Sequence, residues 1–154
     1  MSEMKDFFNA IVYCNVFLAA DKMGVTPILL GRQASKVLAP VLDPLFKQIA
    51  GNTSPKNIEE FIKTIVKVGK DTGLYQIEVE EDPNENMHKE KITNCIWREM
   101  AKYAKTLGCK ACPLCGIAVT IMGAIYALGL GEVNRFEAEN NDNVCILKLK
   151  IDKK

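Results

Sequence analysis

Histidine is nearly absent, with His88 the single one in 154 residues. That scarcity, together with the lack of a G-x-S-x-G turn, a glycine-rich phosphate loop or an H-E-x-x-H pair, removes the minimum parts of a hydrolase, a kinase or a dinucleotide enzyme. An excess of one charge sign is lacking too. Twenty basic residues face 19 acidic ones, and a net charge of +1 offers no electrostatic case for nucleic acid. The first residues lack the basic leader of a secretory signal, since Glu3 and Asp6 are acidic and Asn9 and Asn15 interrupt the apolar run; they read as a buried helix of a cytoplasmic protein. With no internal repeat and no low-complexity linker, residues 1–154 read as a single domain.

What is present is an ordinary globular balance, 48% hydrophobic and 25% charged, on a chain long enough to bury a core without disulfides. Residues 6–23 are apolar on most sides, which predicts a helix buried on two faces. Thr26 followed by Pro27 is an N-cap and first-turn signal for a second helix, which Pro40 and Pro44 should kink or divide, leaving a short helix up to Ile49. Asn57 with Glu60 three residues later caps a third, and Gly69 is placed to end it. From Leu74 to Glu81 the period changes to two: Tyr75, Ile77 and Val79 alternate with Gln76, Glu78 and Glu80, a half-buried strand. A second strand follows over roughly residues 87–96, then helical spacing over 97–107, an uncharged helix, and two closing strands around 132–139 and 144–151. The order ααα-ββ-αα-ββ implies an α+β domain, an antiparallel four-stranded sheet packed with about five helices.

Six cysteines are too few and too clustered for a disulfide scaffold, because Cys109, Cys112 and Cys115 fall within seven residues as C-x-x-C-x-x-C. A loop of that spacing entering a helix turns several sulfurs toward one point, as a tetrahedral thiolate site requires, and a structural zinc suits it. The fourth ligand must come from elsewhere: Cys95 first, Cys145 as the alternate, and His88 last, a lone histidine in a polar strand being more often an exposed side chain. An iron–sulfur cluster is the rival, but the ferredoxin pattern needs a further cysteine where Val119 stands.

Residues 111–131 carry no charge. The first five belong to the cysteine loop and the last include Gly129 and Gly131, leaving about 15 residues, or ~22 Å of helix, against a hydrocarbon core of ~30 Å. A buried helix is therefore expected, with no membrane span. Its small residues Gly116, Thr120, Gly123 and Ala127 favour close packing. A pocket for an apolar ligand is expected where Ile121, Met122, Ile125 and Tyr126 meet Phe7, Phe8, Phe17 or Met23.

With these elements placed, the C-terminal half resembles the 4-vinyl reductase domain family. The residues that carry the likeness are Asn94-Cys95, Cys112-Pro113-Leu114-Cys115 leading into Gly116 and Gly123, Glu132-Val133, and Cys145-Ile146-Leu147-Lys148-Leu149; Gly31-Arg32 is similar to the glycine–arginine pair of such domains. The resemblance implies an α+β domain related to haem-nitric-oxide-binding domains and to a subunit of the vesicle-tethering complex, binding small hydrophobic molecules or metal and commonly dimerising through its helices. It implies a sensor or carrier more than a catalyst. Ala138 stands where the family's closing hairpin often has a second cysteine, and no nicotinamide or flavin motif accompanies the domain, so reductase activity is not carried over.

The combined expectation is a homodimeric binding domain for a small hydrophobic molecule, with zinc on Cys95, Cys109, Cys112 and Cys115 and a pocket at Phe7, Phe8, Phe17, Met122 and Tyr126. The competing expectations are an iron–sulfur or thiol redox protein and a homodimeric assembly subunit.

Overall fold

The structure, a computed structural model, describes residues 2–51, 54–82, 84–85, 87–106, 115–141 and 143–153. Its elements follow the expected order: α1 Ser2–Lys22, α2 Pro27–Ala50, α3 Ile58–Thr72, β1 Gln76–Asp82, β2 Met87–Thr93, α4 Arg98–Thr106, α5 Gly116–Ala127, β3 Gly131–Asn141 and β4 Val144–Lys153. The strands form one antiparallel sheet in the order β1-β2-β4-β3, so the two hairpins join through their second strands.

The helix starts are set by side chains that satisfy otherwise unpaired amides. Thr26 Oγ1 accepts from the Leu29 amide at 3.2 Å, and Asn57 Oδ1 accepts from the Glu60 amide at 2.9 Å. Two expected breaks do not occur. Pro40 and Pro44 lie inside α2 without dividing it. They stand four residues apart on an exposed face, where the carbonyls deprived of an amide partner are open to water, while Leu42 and Phe46 on the other side are buried. Gly69 does not end α3 either. A Cβ there would come within 2.4 Å of the Tyr75 ring, so this glycine makes room for the tyrosine, and Gly73, at φ +68°, terminates the helix.

The uncharged helix α5 is the centre of the fold. Ile117, Ala118, Val119, Ile121, Met122, Gly123, Ala124 and Ile125 are all buried, and α5 packs against α2 and against β3. A helix covered on nearly every side has no face on which a charge could be solvated. Below it, alternate residues of the sheet supply the floor: Val133 from β3, Ile92 from β2, and Leu147, Leu149 and Ile151 from β4 are each at most 3% exposed.

Two burial expectations are corrected. The first helix is not buried on two sides: α1 packs against α4, and Phe17 and Leu18 meet the core, but Phe8 is 64% and Val16 60% exposed. His88 is not an exposed strand residue. It is buried, because β2 is an inner strand whose side chains His88, Glu90 and Ile92 all point into the core.

Candidate functional site

Two cavities meet beneath the start of α5. The larger, about 330 Å³, opens between α2, α3, α5 and the segment joining β2 to α4. Its walls come from pairs one helical turn apart: Leu42 and Phe46 on α2, Phe61 and Ile65 on α3, Ile117 and Ile121 on α5. Tyr75 closes one side, its hydroxyl donating to the Ile65 carbonyl at 2.9 Å. Burial, with Glu90 nearby, pushes that phenol up to about 12, so it remains a neutral wall residue. Trp97 packs over Gly116, where a Cβ would lie 3.6 Å from the indole nitrogen.

The residues expected to form a pocket are distributed differently. Phe8 is exposed, Phe17 is half-buried against the core, and Met122 is fully buried opposite Gly31. Tyr126 is half-buried, donating to the Val133 carbonyl at 3.1 Å, with the Arg32 guanidinium 5.7 Å from its ring centre. None of these four lines the large cavity, Ile121 does, and Met23 is exposed. The side chain of Phe7 lies outside the described residues.

Trp97 and Ile117 also line the second cavity, about 20 Å³, which holds three sulfurs: those of Cys95, Cys115 and Cys145. The sheet register brings this about. Cys145 pairs with Ile92 across β4 and β2, three residues before Cys95, and Cys115 sits at the start of α5. Each sulfur meets a nitrogen donor. The Trp97 amide donates to Cys95 Sγ at 3.4 Å and the Asn140 side-chain amide to Cys145 Sγ at 3.1 Å, while the amides of Ile117 and Ala118 favour the Cys115 thiolate.

Burial nevertheless dominates. It pushes Cys95 up to about 11 and raises Cys115 and Cys145, so the three are protonated thiols until something binds them.

Cys109 and Cys112 lie outside the described residues. Among the described residues, no group of three or more His, Cys, Asp or Glu side chains is placed to hold a metal ion. Cys95, Cys115 and Cys145 line one cavity but are not placed together as a metal site. His88 does not join it: its Nδ1 stands 3.7 Å from Glu81 Oε1, and burial lowers its pKa.

A buried carboxyl passed over in the sequence sits near both cavities. Glu90 is 3% exposed, its Oε2 has no hydrogen-bond partner, and burial raises its pKa to about 8. Its field reaches Tyr75 on the large cavity and Cys115 on the small one.

No family model matches the sequence, and no curated protein matches it. The fold is similar to that of a trafficking protein particle complex subunit 3 from Naegleria fowleri, whose crystal structure is covalently bound to palmitic acid. The TM-score is 0.58 at 13% identity, over 98% of this chain and 97% of that one. At that identity the likeness is one of fold, and it agrees with the expected relation to vesicle-tethering subunits. Among the described residues no helix is long and apolar enough to cross a membrane.

Proposed function

We propose that this chain is a binding or sensing domain for a small hydrophobic molecule, held in the cavity between α2, α3 and α5. The observation that carries this reading is the cavity itself, about 330 Å³ with walls of leucine, isoleucine and aromatic side chains, within the size and character of small-molecule sites. The lipid in the similarly folded subunit and the resemblance to 4-vinyl reductase domains support it. Trp97 is the single tryptophan and lines the cavity, so its fluorescence reports occupancy directly. Titration with a brominated fatty acid should quench it saturably, and native mass spectrometry should detect a retained lipophile. An emission that stays constant, from protein free of any bound molecule, overturns the reading.

The finer part of the same proposal is a structural zinc on Cys95, Cys109, Cys112 and Cys115, with Cys145 as the alternate fourth ligand. Such a site would fix the start of α5, which forms one cavity wall, so that metal loss weakens ligand binding without removing a chemical step. An iron–sulfur cluster in its place would colour anaerobically purified protein, whereas zinc leaves it colourless.

Apolar surface on the first two helices favours a second reading, that two copies of the chain assemble. Met4, Phe8, Val12 and Val16 repeat every four residues along α1, and Val37, Val41 and Leu45 do so along α2, all of them exposed in the single chain. The stripe on α1 lies outside the cavity wall, whereas Leu45 at the end of the α2 stripe lines it.

A further inference from the structure

The cavity between α2, α3 and α5 offers a ligand no charge. Among the described residues, no Lys, Arg, His, Asp or Glu lines it. Its polar side chains are Tyr75, Thr120 and Trp97, and the first two have already given their proton to the backbone. The Tyr75 hydroxyl donates to the Ile65 carbonyl at 2.9 Å and the Thr120 hydroxyl to the Gly116 carbonyl at 2.7 Å, so each keeps only lone pairs for a ligand. Trp97 has one neutral indole N–H, whose nitrogen lies over Gly116. The start of α5 borders the cavity as well, and the first amides of a helix commonly hold an anion. Here the amides of Ile117 and Ala118 are directed at Cys115 Sγ instead.

The mouth is equally short of partners for a charged group. Leu45, Leu74 and Ile96 line the cavity and are exposed, so the rim is apolar on α2, on the turn before β1 and on the segment after β2. Glu90 shows what these surroundings do to a carboxyl. It lies close enough to Tyr75 for its charge to act on that phenol, and its Oε2 is buried without a hydrogen-bond partner. Burial alone raises its pKa to about 8. A ligand carboxylate entering beside Tyr75 would meet the same loss of water, with no cation and at most one neutral donor to replace it.

We propose that the cavity selects its ligand by charge: it takes uncharged lipophiles, such as hydrocarbons, long-chain alcohols and fatty esters, and excludes the ionised headgroup of a free fatty acid or other anionic amphiphile. Where the uncharged ligand carries a hydroxyl, the lone pairs of Tyr75 and Thr120 are there to accept from it. Free acids enter in their protonated form. This specificity rests on the binding reading above, and the test separates the two.

Trp97 quenching is followed for a brominated decanoic acid and for its methyl ester, which share one chain short enough to be enclosed. The ester, measured at every pH, cancels the titration of the protein's own Glu90 and His88. The expected result is an ester at least about a hundredfold tighter than the acid near pH 8, with a ratio that changes about tenfold per pH unit because only the protonated acid enters. Ala124→Leu, which fills part of the cavity, should weaken the ester at least tenfold.

Equal affinities near pH 8, or a ratio that does not move with pH, overturn the charge selection while leaving the binding site standing. Quenching by neither compound at any pH, or an ester unaffected in folded Ala124→Leu, removes the site and the selection together. If Ala124→Leu does not fold, the wild-type comparison decides alone.

Discussion

A Cβ placed on Gly31 would stand 2.8 Å from the Cβ of Met122, closer than such atoms approach. The two residues mark the point where α2 crosses α5, and Gly123 completes it from the other side, with Leu38 Cδ1 2.9 Å and Ala34 Cβ 3.2 Å from where its own Cβ would be. The opposing glycines set the separation of the two helices that wall the cavity.

Substituting alanine at Gly31 should therefore destabilise the chain even though alanine is the better helix former. The helical gain is about 1 kcal/mol, whereas overpacking costs typically 1–3 kcal/mol, and the atom in the way is a Cβ that moves only with its backbone. Gly123→Ala should lose less, since the nearest atom there is the end of a leucine side chain. Urea denaturation of both variants checks the ordering, and a Gly31→Ala protein more stable than Gly123→Ala would refute it.

Glu90 predicts a pH dependence. Its folded pKa of about 8 lies above the usual 4.5 because burial disfavours the carboxylate, so the folded state binds the extra proton and stability falls as pH rises between those values, by up to about 1.4 kcal/mol per pH unit. His88 acts in the opposite direction. Its lowered pKa makes the unfolded state the better proton acceptor, so its contribution is lost as pH falls below about 6.5. Between pH 6.5 and 8 the Glu90 effect stands alone. Glu90→Gln should flatten the stability profile there and be more stable than wild type at pH 8; parallel profiles for the two proteins would show that the carboxyl is not held neutral.

Much of the fold was legible because it rests on local chemistry: the Thr26 and Asn57 caps, the alternation of β1, and the uncharged run of α5. The expectations that failed turned on surroundings that a local pattern does not show. Gly69 reads as a helix stop until Tyr75 is known to lie against it, and Pro40 and Pro44 read as breaks until both are seen on an exposed face. His88 reads as a surface residue until β4 pairs beside β2. The sequence spacing singled out Cys109, Cys112 and Cys115, but the approach of Cys145 to Cys95 depends on the β2–β4 register, which no local pattern encodes. The large cavity was missed for a similar reason. Its signal, Leu42 with Phe46 and Phe61 with Ile65, is indistinguishable from ordinary core spacing until the three helices are assembled.

Pairing through the first two helices predicts a mass near twice 17.1 kDa in light scattering. Phe8→Glu or Val37→Glu should shift it to the monomer without lowering the melting temperature of the separated chain, because both side chains are exposed there. Wild-type protein that remains monomeric at high micromolar concentration would remove the homodimer from consideration.

Filling the large cavity separates a binding site from loose packing. Ala124 is 5% exposed and lines the cavity wall, so Ala124→Leu projects three more carbons into space already available. If the cavity is intrinsic to the fold, the leucine gains up to about 0.8 kcal/mol for each carbon it buries, and the melting temperature holds or rises. Binding should then fall at least tenfold, read as loss of Trp97 quenching by the same brominated fatty acid. That combination, higher stability with lost affinity, is the signature of a site kept open at the expense of stability. If quenching persists at wild-type strength in a folded Ala124→Leu protein, the lipophile binds elsewhere and the cavity between α2, α3 and α5 is not its site.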